Sequence, residues 1–238
     1  MNKNPDVINF YELDEMKPFL IKSDNPNYEY HHLTIPMMAV LIGPTGSGKT
    51  NAVCSIIKAF SDKSKNKKKR GTFASIQYFT QNSNEPLLNY LKSKSNQISI
   101  FEGLEKLKID DLDNEQNHLI VFDDMVTKKN QQPMLEAFSR ARKQGCSLIY
   151  ISQSMFATPI FIRKNCHYIW ILKLSGKREI DLVMREYSLG LSADVLRRIY
   201  EYATREKFSP LMIDNTTPDM TRRFRKGFLE FLNIEDFV

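Results

Sequence analysis

Continuous apolar runs and one-sided apolar stretches alternate along this chain. The apolar runs predict buried strands at residues 37–42, 74–79, 98–101, 118–122, 147–151, 168–174 and 211–214. The one-sided stretches predict helices at residues 49–60, 85–94, 132–144, 177–187 and 192–207, with a weaker helical pattern at 104–112. Because strands and helices alternate without an internal repeat or a long linker, the pattern predicts an α/β fold with one mainly parallel sheet covered on both faces.

The two ends of the chain depart from this alternation. Residues 1–34 are polar and aromatic, with three prolines and no sustained period, and we interpret them as an arm lying on the domain. Tyr28, Tyr30, His31 and His32 could stack on a base, but surface packing is the favoured interpretation. We expect an arm at residues 1–32, one domain at 33–215 and a tail at 216–238.

The tail, residues 219–237, combines basic and aromatic side chains at spacings that fit an amphipathic helix. Such a helix could dock on the body or on a neighbouring molecule, or its basic side could touch DNA. Docking is favoured because the aromatic side chains need burial. The residues concerned are Arg222, Arg223, Phe224, Arg225, Lys226, Phe228 and Phe231.

Composition limits the broad class of protein. The 238 residues, 42% of them hydrophobic, suit one α/β domain with modest additions. Lys and Arg number 34 against 28 Asp and Glu, a mild excess that is compatible with a polyanionic partner without indicating one. Residues 63–70 hold six basic side chains. A solvated loop is favoured there, with a phosphate-backbone contact or a nuclear-import-like signal as the alternatives.

The cysteine and hydropathy patterns indicate in which cellular compartment the protein is expected. Cys54, Cys146 and Cys166 are scattered without a CxxC pair, which disfavours a disulfide framework or a zinc site and favours a reducing compartment. No apolar run approaches the roughly 18 residues of a membrane span, and residues 1–18 lack the apolar centre of a signal peptide. We therefore expect a soluble, intracellular protein with no membrane partner.

A phosphate-binding pattern follows the first predicted strand. Residues 43–50 are rich in glycine, which lets consecutive backbone N–H groups turn inward, and they end in lysine and threonine. Lys49 would reach the β- and γ-phosphates, and the Thr50 hydroxyl would hold Mg²⁺. A chance glycine-rich turn is disfavoured by the strand before and the helix after. The predicted P-loop comprises Gly43, Pro44, Thr45, Gly46, Ser47, Gly48, Lys49, Thr50 and Asn51.

Two acidic residues and a glutamine end later strands. Asp123, at the end of a buried strand adjacent to the P-loop, could hold the water shell of Mg²⁺. Asp124 occupies the place where hydrolysing enzymes usually carry Glu, and it would orient or deprotonate the attacking water, although its shorter side chain reaches less far. Solvated turn acids are the alternative. Gln153 ends the strand at 147–151 and could sense the γ-phosphate. No Asn-Lys-x-Asp element follows a buried strand, which favours ATP over a guanine nucleotide.

In this order the P-loop, the acid pair, Arg142 ahead of a strand and Gln153 at its end resemble the FtsK/HerA superfamily of ring ATPases. Within that superfamily the chain looks like the DNA-packaging ATPases of large DNA viruses and virophages. The resemblance covers about residues 33–215 and implies a RecA-like P-loop core. It also implies ATP and Mg²⁺ as cofactors, with catalytic roles for Lys49, Asp124 and Gln153.

The resemblance further implies a trans-acting arginine finger, for which Arg142 is the first candidate and Arg140 the second. The alternative for Arg142 is a helix-end cation favoured by the helix dipole. The implied partners are double-stranded DNA, further copies of the chain in a homo-oligomeric ring, and a capsid or portal protein. The implied location is the infected host cell, in the cytoplasm or a viral factory, or the virion.

Other functions fit the P-loop as well. A P-loop kinase would transfer phosphate to a small acceptor, but Asp124 and Gln153 suit water activation better. A nucleotide-switched scaffold would bind ATP without turnover. A cellular DNA translocase would keep the motor, although such proteins usually carry additional membrane or DNA-reading domains.

Overall fold

The computed structural model describes residues 8–19, 24–61, 71–125 and 131–238, and a single sheet forms its centre. Nine strands in this part of the chain pair in the order β3-β2-β4-β5-β1-β6-β7-β8-β9. They are β1 (Met38–Ile42), β2 (Ser75–Thr80), β3 (Ile98–Glu102), β4 (His118–Asp123), β5 (Cys146–Ser152), β6 (Tyr168–Ile171), β7 (Leu211–Asp214), β8 (Phe224–Lys226) and β9 (Glu230–Phe231). The first six strands run parallel, while β7, β8 and β9 each pair antiparallel with the preceding strand.

Helices cover both faces of this sheet. They are α1 (Tyr28–His31), α2 (Lys49–Ser61), α3 (Pro86–Lys94), α4 (Gln132–Arg140), α5 (Ile160–Asn165), α6 (Lys177–Tyr187), α7 (Ala193–Ala203) and α8 (Met220–Arg223). Two buried apolar clusters lie on opposite sides of the sheet, and alternate residues of β1, β4 and β5 contribute to each. This double burial explains why these strands appear in the sequence as unbroken apolar runs. Trp170 on β6 is fully buried. No helix in the described ranges combines the length and apolar character needed to span a membrane.

Strand order is the first feature that the sequence did not reveal. We expected the strand that carries Asp123 to lie adjacent to the P-loop strand, but β5 lies between β1 and β4. The carboxyl ends of β4, β5 and β1 therefore lie side by side. Gln153, the residue after β5, lies between the P-loop and the acid pair. Long-range pairing of equally apolar strands is not encoded in any local pattern.

The prediction of a helical C-terminal tail was wrong. Within residues 216–238 the only α-helix is α8. The chain then forms β8, turns at Gly227 with φ 67°, and forms β9. The aromatic spacing fits a helix, but pairing with β7 satisfies backbone groups that an edge strand would otherwise expose. Phe224 is buried by this pairing, so the aromatic side chain does gain the burial expected of it.

Other predictions differ in smaller ways. Residues 104–112 form no helix. They form turns instead, in which the backbone N–H groups of Leu107 and Leu112 donate hydrogen bonds to carbonyls three residues earlier. The helix predicted at 132–144 becomes α4 followed by a 3₁₀ turn, and Gly145 ends it with φ 66°. The helix predicted at 192–207 stops at Ala203, and the Ser192 side chain caps its start. The short helix α5 was not predicted from the sequence. The basic run at 63–70 lies outside the described residues.

Part of the predicted arm packs on the domain. His31 of α1 is buried with its ring 4.1 Å, between centroids, from that of Phe60 on α2. Its Nδ1 accepts a hydrogen bond from the backbone N–H of Leu33 at 3.0 Å. Surface packing is therefore the role that the structure gives His31, as we favoured.

Candidate functional site

The glycine-rich segment joins the end of β1 to the start of α2. Lys49, the first residue of α2, turns its Nζ back to donate hydrogen bonds to the carbonyl oxygens of Gly43 at 2.8 Å and Pro44 at 3.0 Å. Gly46 and Gly48 adopt φ of 78° and 95°, which side chains rarely tolerate. Burial lowers the pKa of Lys49, and the neighbouring carboxylates of Asp123 and Asp124 oppose that shift.

Side-chain oxygen atoms that could bind a metal ion lie together on the other side of the loop. Asp123 Oδ2 accepts a hydrogen bond of 2.6 Å from the buried Tyr78 hydroxyl, and Thr50 Oγ1 lies 3.5 Å from Glu85 Oε2. Burial raises the pKa of Asp123 to about 6; Glu85 and Asp124 add to this, and the Tyr78 hydrogen bond and Lys49 oppose it. Burial and the neighbouring Asp123 carboxylate raise the pKa of Tyr78, which keeps the hydroxyl a hydrogen-bond donor.

The second acid is held by the glutamine at the end of β5. Gln153 Nε2 donates to Asp124 Oδ2 at 2.5 Å, and Thr45 Oγ1 of the P-loop donates to Gln153 Oε1 at 3.3 Å. The Asp124 backbone has φ 54°, a conformation that Asp adopts more readily than most residues, and its carbonyl accepts from Gln81 Nε2 at 2.7 Å. A hydrogen-bonded chain thus links the P-loop to the second acid.

One cavity of about 560 Å³ contains most of the predicted site residues. That volume is in the range of small-molecule sites. The polar side chains at the carboxyl end of β2, where ligands collect in parallel sheets, contribute to it as well. The lining is Thr45, Gly46, Gly48, Lys49, Thr50, Asn51, Thr80, Gln81, Asn82, Glu85, Leu87, Asp123, Asp124, Gln153 and Phe208.

The predicted finger does not reach this cavity in its own chain. Arg142 is exposed in the turn that precedes β5, so it lies at the amino-terminal ends of the parallel strands. Burial lowers the pKa of His167, just before β6, and the positive charge of Arg142 lowers it further. The P-loop lies at the carboxyl edge. Arg140 Nη2 forms an ion pair of 2.6 Å with Asp110 Oδ1.

The donor set fits Mg²⁺ held together with phosphate. Thr50, Asp123 and Glu85 supply the hard oxygen atoms that this ion prefers. Among the described residues no three His, Cys, Asp or Glu side chains come close enough to hold a metal ion by themselves. Mg²⁺ commonly binds through one or two protein oxygens, with waters and substrate phosphates completing the shell, and this arrangement suits that mode.

Three residues of the site were not predicted from the sequence: Tyr78, Glu85 and Phe208. Tyr78 and Glu85 lie on and just after β2, the neighbour of β4, so strand order was needed to place them. Phe208 comes from the segment between α7 and β7, far along the chain from the P-loop. The only available signal was that ligands collect at the carboxyl ends of parallel strands.

Comparison with known proteins identifies the family. Residues 27–217 match the family model described as the poxvirus A32 protein. This chain belongs to the poxvirus A32 protein family. No protein in the search of curated sequences matches it.

Solved structures share the A32-family chain's fold at low sequence identity. The genome packaging NTPase B204 from Sulfolobus turreted icosahedral virus 2, in complex with sulfate, has 15% identity and a TM-score of 0.56, covering 83% of this chain and 100% of that one. The same NTPase in complex with ATP-gammaS has 16% identity and a TM-score of 0.55, with coverage of 82% and 100%. EssC (ATPases 2 and 3) from Geobacillus thermodenitrificans has 11% identity and a TM-score of 0.51, with coverage of 83% and 40%. The predicted P-loop ATPase fold and the resemblance to viral packaging ATPases are confirmed.

Proposed function

We propose that this A32-family chain hydrolyses Mg²⁺-bound ATP and uses the reaction to translocate double-stranded DNA, packaging a viral genome into a capsid. The family and the fold shared with a viral genome packaging NTPase support this proposal. The observation that carries the enzymatic part is the hydrogen bond from Gln153 to Asp124, which fixes a carboxylate in the same cavity as Lys49, Thr50 and Asp123.

The P-loop binds the triphosphate in this proposal. Lys49 exchanges its two carbonyl acceptors for β- and γ-phosphate oxygens, and the backbone from Gly43 to Asn51 turns its N–H groups toward the anion at the positive end of α2. Thr50 and Asp123 would hold Mg²⁺. Bound Mg²⁺ supplies charge neutralisation at the β- and γ-phosphates.

Asp124 orients the attacking water and accepts its proton. Its carboxylate is held from one side by Gln153 and faces the cavity that also receives Lys49. Because Gln153 also accepts from Thr45 of the P-loop, it is placed to respond to the γ-phosphate and to change the position of Asp124. This is the sensor role expected from the sequence.

Arg142 completes the site of a neighbouring copy. It lies at the sheet edge opposite the P-loop, so it can serve a P-loop only in another subunit, as in a ring. Arg140 remains the second candidate and would have to leave its ion pair with Asp110. The ring would act on double-stranded DNA with a capsid or portal partner, inside the infected cell or in the virion.

The first test is Lys49→Ala with Lys58→Ala as the matched control. Both lysines lie on α2, but Lys58 is exposed and outside the cavity. Phosphate release from ATP, measured with and without double-stranded DNA and without any acceptor, should vanish in Lys49→Ala because the phosphates lose their main cationic partner. It should persist in Lys58→Ala. Undiminished release in Lys49→Ala would remove the P-loop from the mechanism, and turnover only with an added acceptor would support the kinase instead.

A further inference from the structure

A phenylalanine lies against the P-loop where none of the predicted chemistry needs one. Phe208 belongs to the segment between α7 and β7, and β7 runs antiparallel to β6, so this segment reaches the carboxyl edge of the sheet beside the P-loop. Its ring contacts Gly48 so closely that a Cβ on Gly48 would lie 2.3 Å from Phe208 Cδ1. The close approach of loop and ring therefore depends on glycine at position 48.

Packing does not account for the position of this ring. Phe208 is 45% exposed, so it is not a core side chain. Its backbone has φ 67°, a conformation that is rare for bulky residues and costs free energy, so that it persists only where other contacts of the segment offset the cost. Two such contacts flank the ring: Ser209 N–H donates to the Glu206 carbonyl at 3.2 Å, and Lys226 Nζ donates to the Glu206 carboxylate at 2.7 Å.

Phe208 also lines two neighbouring cavities, together with Thr45 and Gly46. On one side is the 560 Å³ cavity that holds Lys49 and the acid pair. On the other is a cavity of about 410 Å³, lined by the outer side of the P-loop, by Lys173 and by the segment from Thr204 to Phe208. A nucleoside triphosphate has an anionic end and an aromatic end. The first cavity offers the groups that bind phosphates. The half-exposed ring of Phe208 at its border offers a surface on which a base can replace the exposed Lys207 amine, which lies 4.8 Å from the ring centroid.

We infer that the exposed face of Phe208 stacks on the nucleobase of the bound nucleotide, so that this residue helps to position ATP beyond its phosphates. The inference rests on the proposed function. Aromatic rings stack on bases through their π faces, and loss of such a platform typically weakens binding by about 5- to 150-fold. Stacking is tolerant of base identity, so Phe208 contributes affinity for any nucleobase and favours the larger purine ring system.

The experiment compares a probe that has a base with one that lacks it. AMPPCP and inorganic tripolyphosphate, each with Mg²⁺, are titrated calorimetrically into wild-type protein, Phe208→Ala, Phe208→Tyr and Phe161→Ala. Phe161 is the matched control because it is 43% exposed and lines neither cavity. We expect Phe208→Ala to lose about 5- to 150-fold in AMPPCP affinity and to keep its tripolyphosphate affinity. Phe208→Tyr and Phe161→Ala should bind both probes as wild type does.

Different failures have different meanings. Equal weakening of both probes in Phe208→Ala would overturn the inference and make Phe208 a support for the P-loop conformation. Unchanged or tighter AMPPCP binding would also overturn it, because the ring then contributes nothing or blocks the site. Failure of wild-type protein to bind either probe would instead contradict the proposed function.

A second variant guards against misfolding. Phe208→Gly relieves the positive φ, so it should melt at a higher temperature than Phe208→Ala while showing the same selective loss of AMPPCP affinity. Recovery of AMPPCP affinity in the glycine variant would overturn stacking, since it would assign the loss to backbone strain.

Discussion

At the scale of single residues, folding and the proposed chemistry favour opposite protonation states of Asp123. Its carboxylate is buried, and burial raises its pKa from 3.8 to about 6. The ionised form that would hold Mg²⁺ is therefore the form that the fold disfavours. The Tyr78 hydroxyl and Lys49 offset part of that cost without removing it.

We predict that Asp123→Asn stabilises the metal-free protein at pH 8. The raised pKa means that the native carboxyl contributes most below pH 4 and that this contribution is lost as pH rises through 6. The amide carries no charge at any pH, so the stability difference should reach at most about 3 kcal/mol at pH 8 and shrink toward pH 4. Urea unfolding in EDTA at several pH values measures it, with exposed Asp111→Asn as control. A variant less stable than wild type at pH 8 would contradict the raised pKa.

Asp124 is predicted to act in hydrolysis and not in binding. Asp124→Asn keeps the shape of the side chain and removes the base, so AMPPCP affinity should be nearly unchanged while ATP turnover falls by about 10²- to 10⁴-fold. Calorimetry and phosphate release measure the two effects on one preparation. A parallel loss of Mg²⁺-dependent nucleotide binding would make Asp124 a metal-side residue.

At the scale of elements, a buried arginine links the segment just before β1 to the C-terminal end of the sheet. Arg225 on β8 is fully buried and donates to the carbonyl oxygens of His31 at 2.8 Å and His32 at 3.1 Å. Its guanidinium also lies 3.7 Å from Asp214 at the end of β7. The segment before β1 and the antiparallel strands after α8 therefore share one buried charge, which is costly to leave unpaired.

We predict that Arg225→Ala destabilises the protein by about 3–5 kcal/mol, because it leaves Asp214 and three backbone carbonyls, those of His31, His32 and Phe228, without their partner. Arg225→Lys should recover part of this, since an amine keeps the charge but cannot fork to these carbonyls. Chemical unfolding checks both, with exposed Arg198→Ala as the control. Equal stability of the alanine variant and wild type would mean that the two ends do not depend on this arginine.

At the scale of the whole molecule, the two halves of the proposed catalytic machinery lie at opposite edges of one sheet. The cavity opens at the carboxyl ends of β1, β4 and β5, whereas Arg142 precedes β5 at the amino edge. Such a two-ended arrangement suits head-to-tail packing, in which the exposed Arg142 of one copy meets the cavity of the next. Head-to-tail interfaces close into rings when the rotation between copies permits.

Mixing two inactive variants tests this arrangement. Arg142→Ala alone should lose turnover by about 10³- to 10⁵-fold and keep nucleotide affinity, because a finger stabilises charge only as the phosphoryl group transfers. An Arg142→Ala subunit still has a sound P-loop and a Lys49→Ala subunit still has a sound finger, so mixed assemblies should regain part of the ATPase activity.

The control mixture replaces Arg142→Ala with Arg140→Ala, and hetero-assembly is verified by differently tagged subunits. Rescue confined to the Arg142 mixture supports Arg142 acting in trans. A mixture as inactive as its components, despite proven co-assembly, would remove Arg142 as the trans finger, and rescue confined to the Arg140 mixture would transfer the role to Arg140.

The sequence by itself determined the parts that depend on neighbouring residues. The P-loop follows from glycine spacing and the terminal Lys49 and Thr50, and the parallel strands follow from runs that are apolar on both faces. Asp123, Asp124 and Gln153 could be marked as site residues because each directly ends such a strand or follows it. These signals are local, so one sequence suffices to read them.

Only the tertiary structure decided which distant segments meet. The insertion of β5 between β1 and β4 brings Gln153 to Asp124, and the reversal of β7 brings Phe208 to Gly48. The tail became β8 and β9 because the edge of β7 offered hydrogen bonds that outweigh a helix-compatible spacing of aromatic residues. Strand pairing couples residues far apart in the chain, and its free energy depends on the partner as much as on the segment itself.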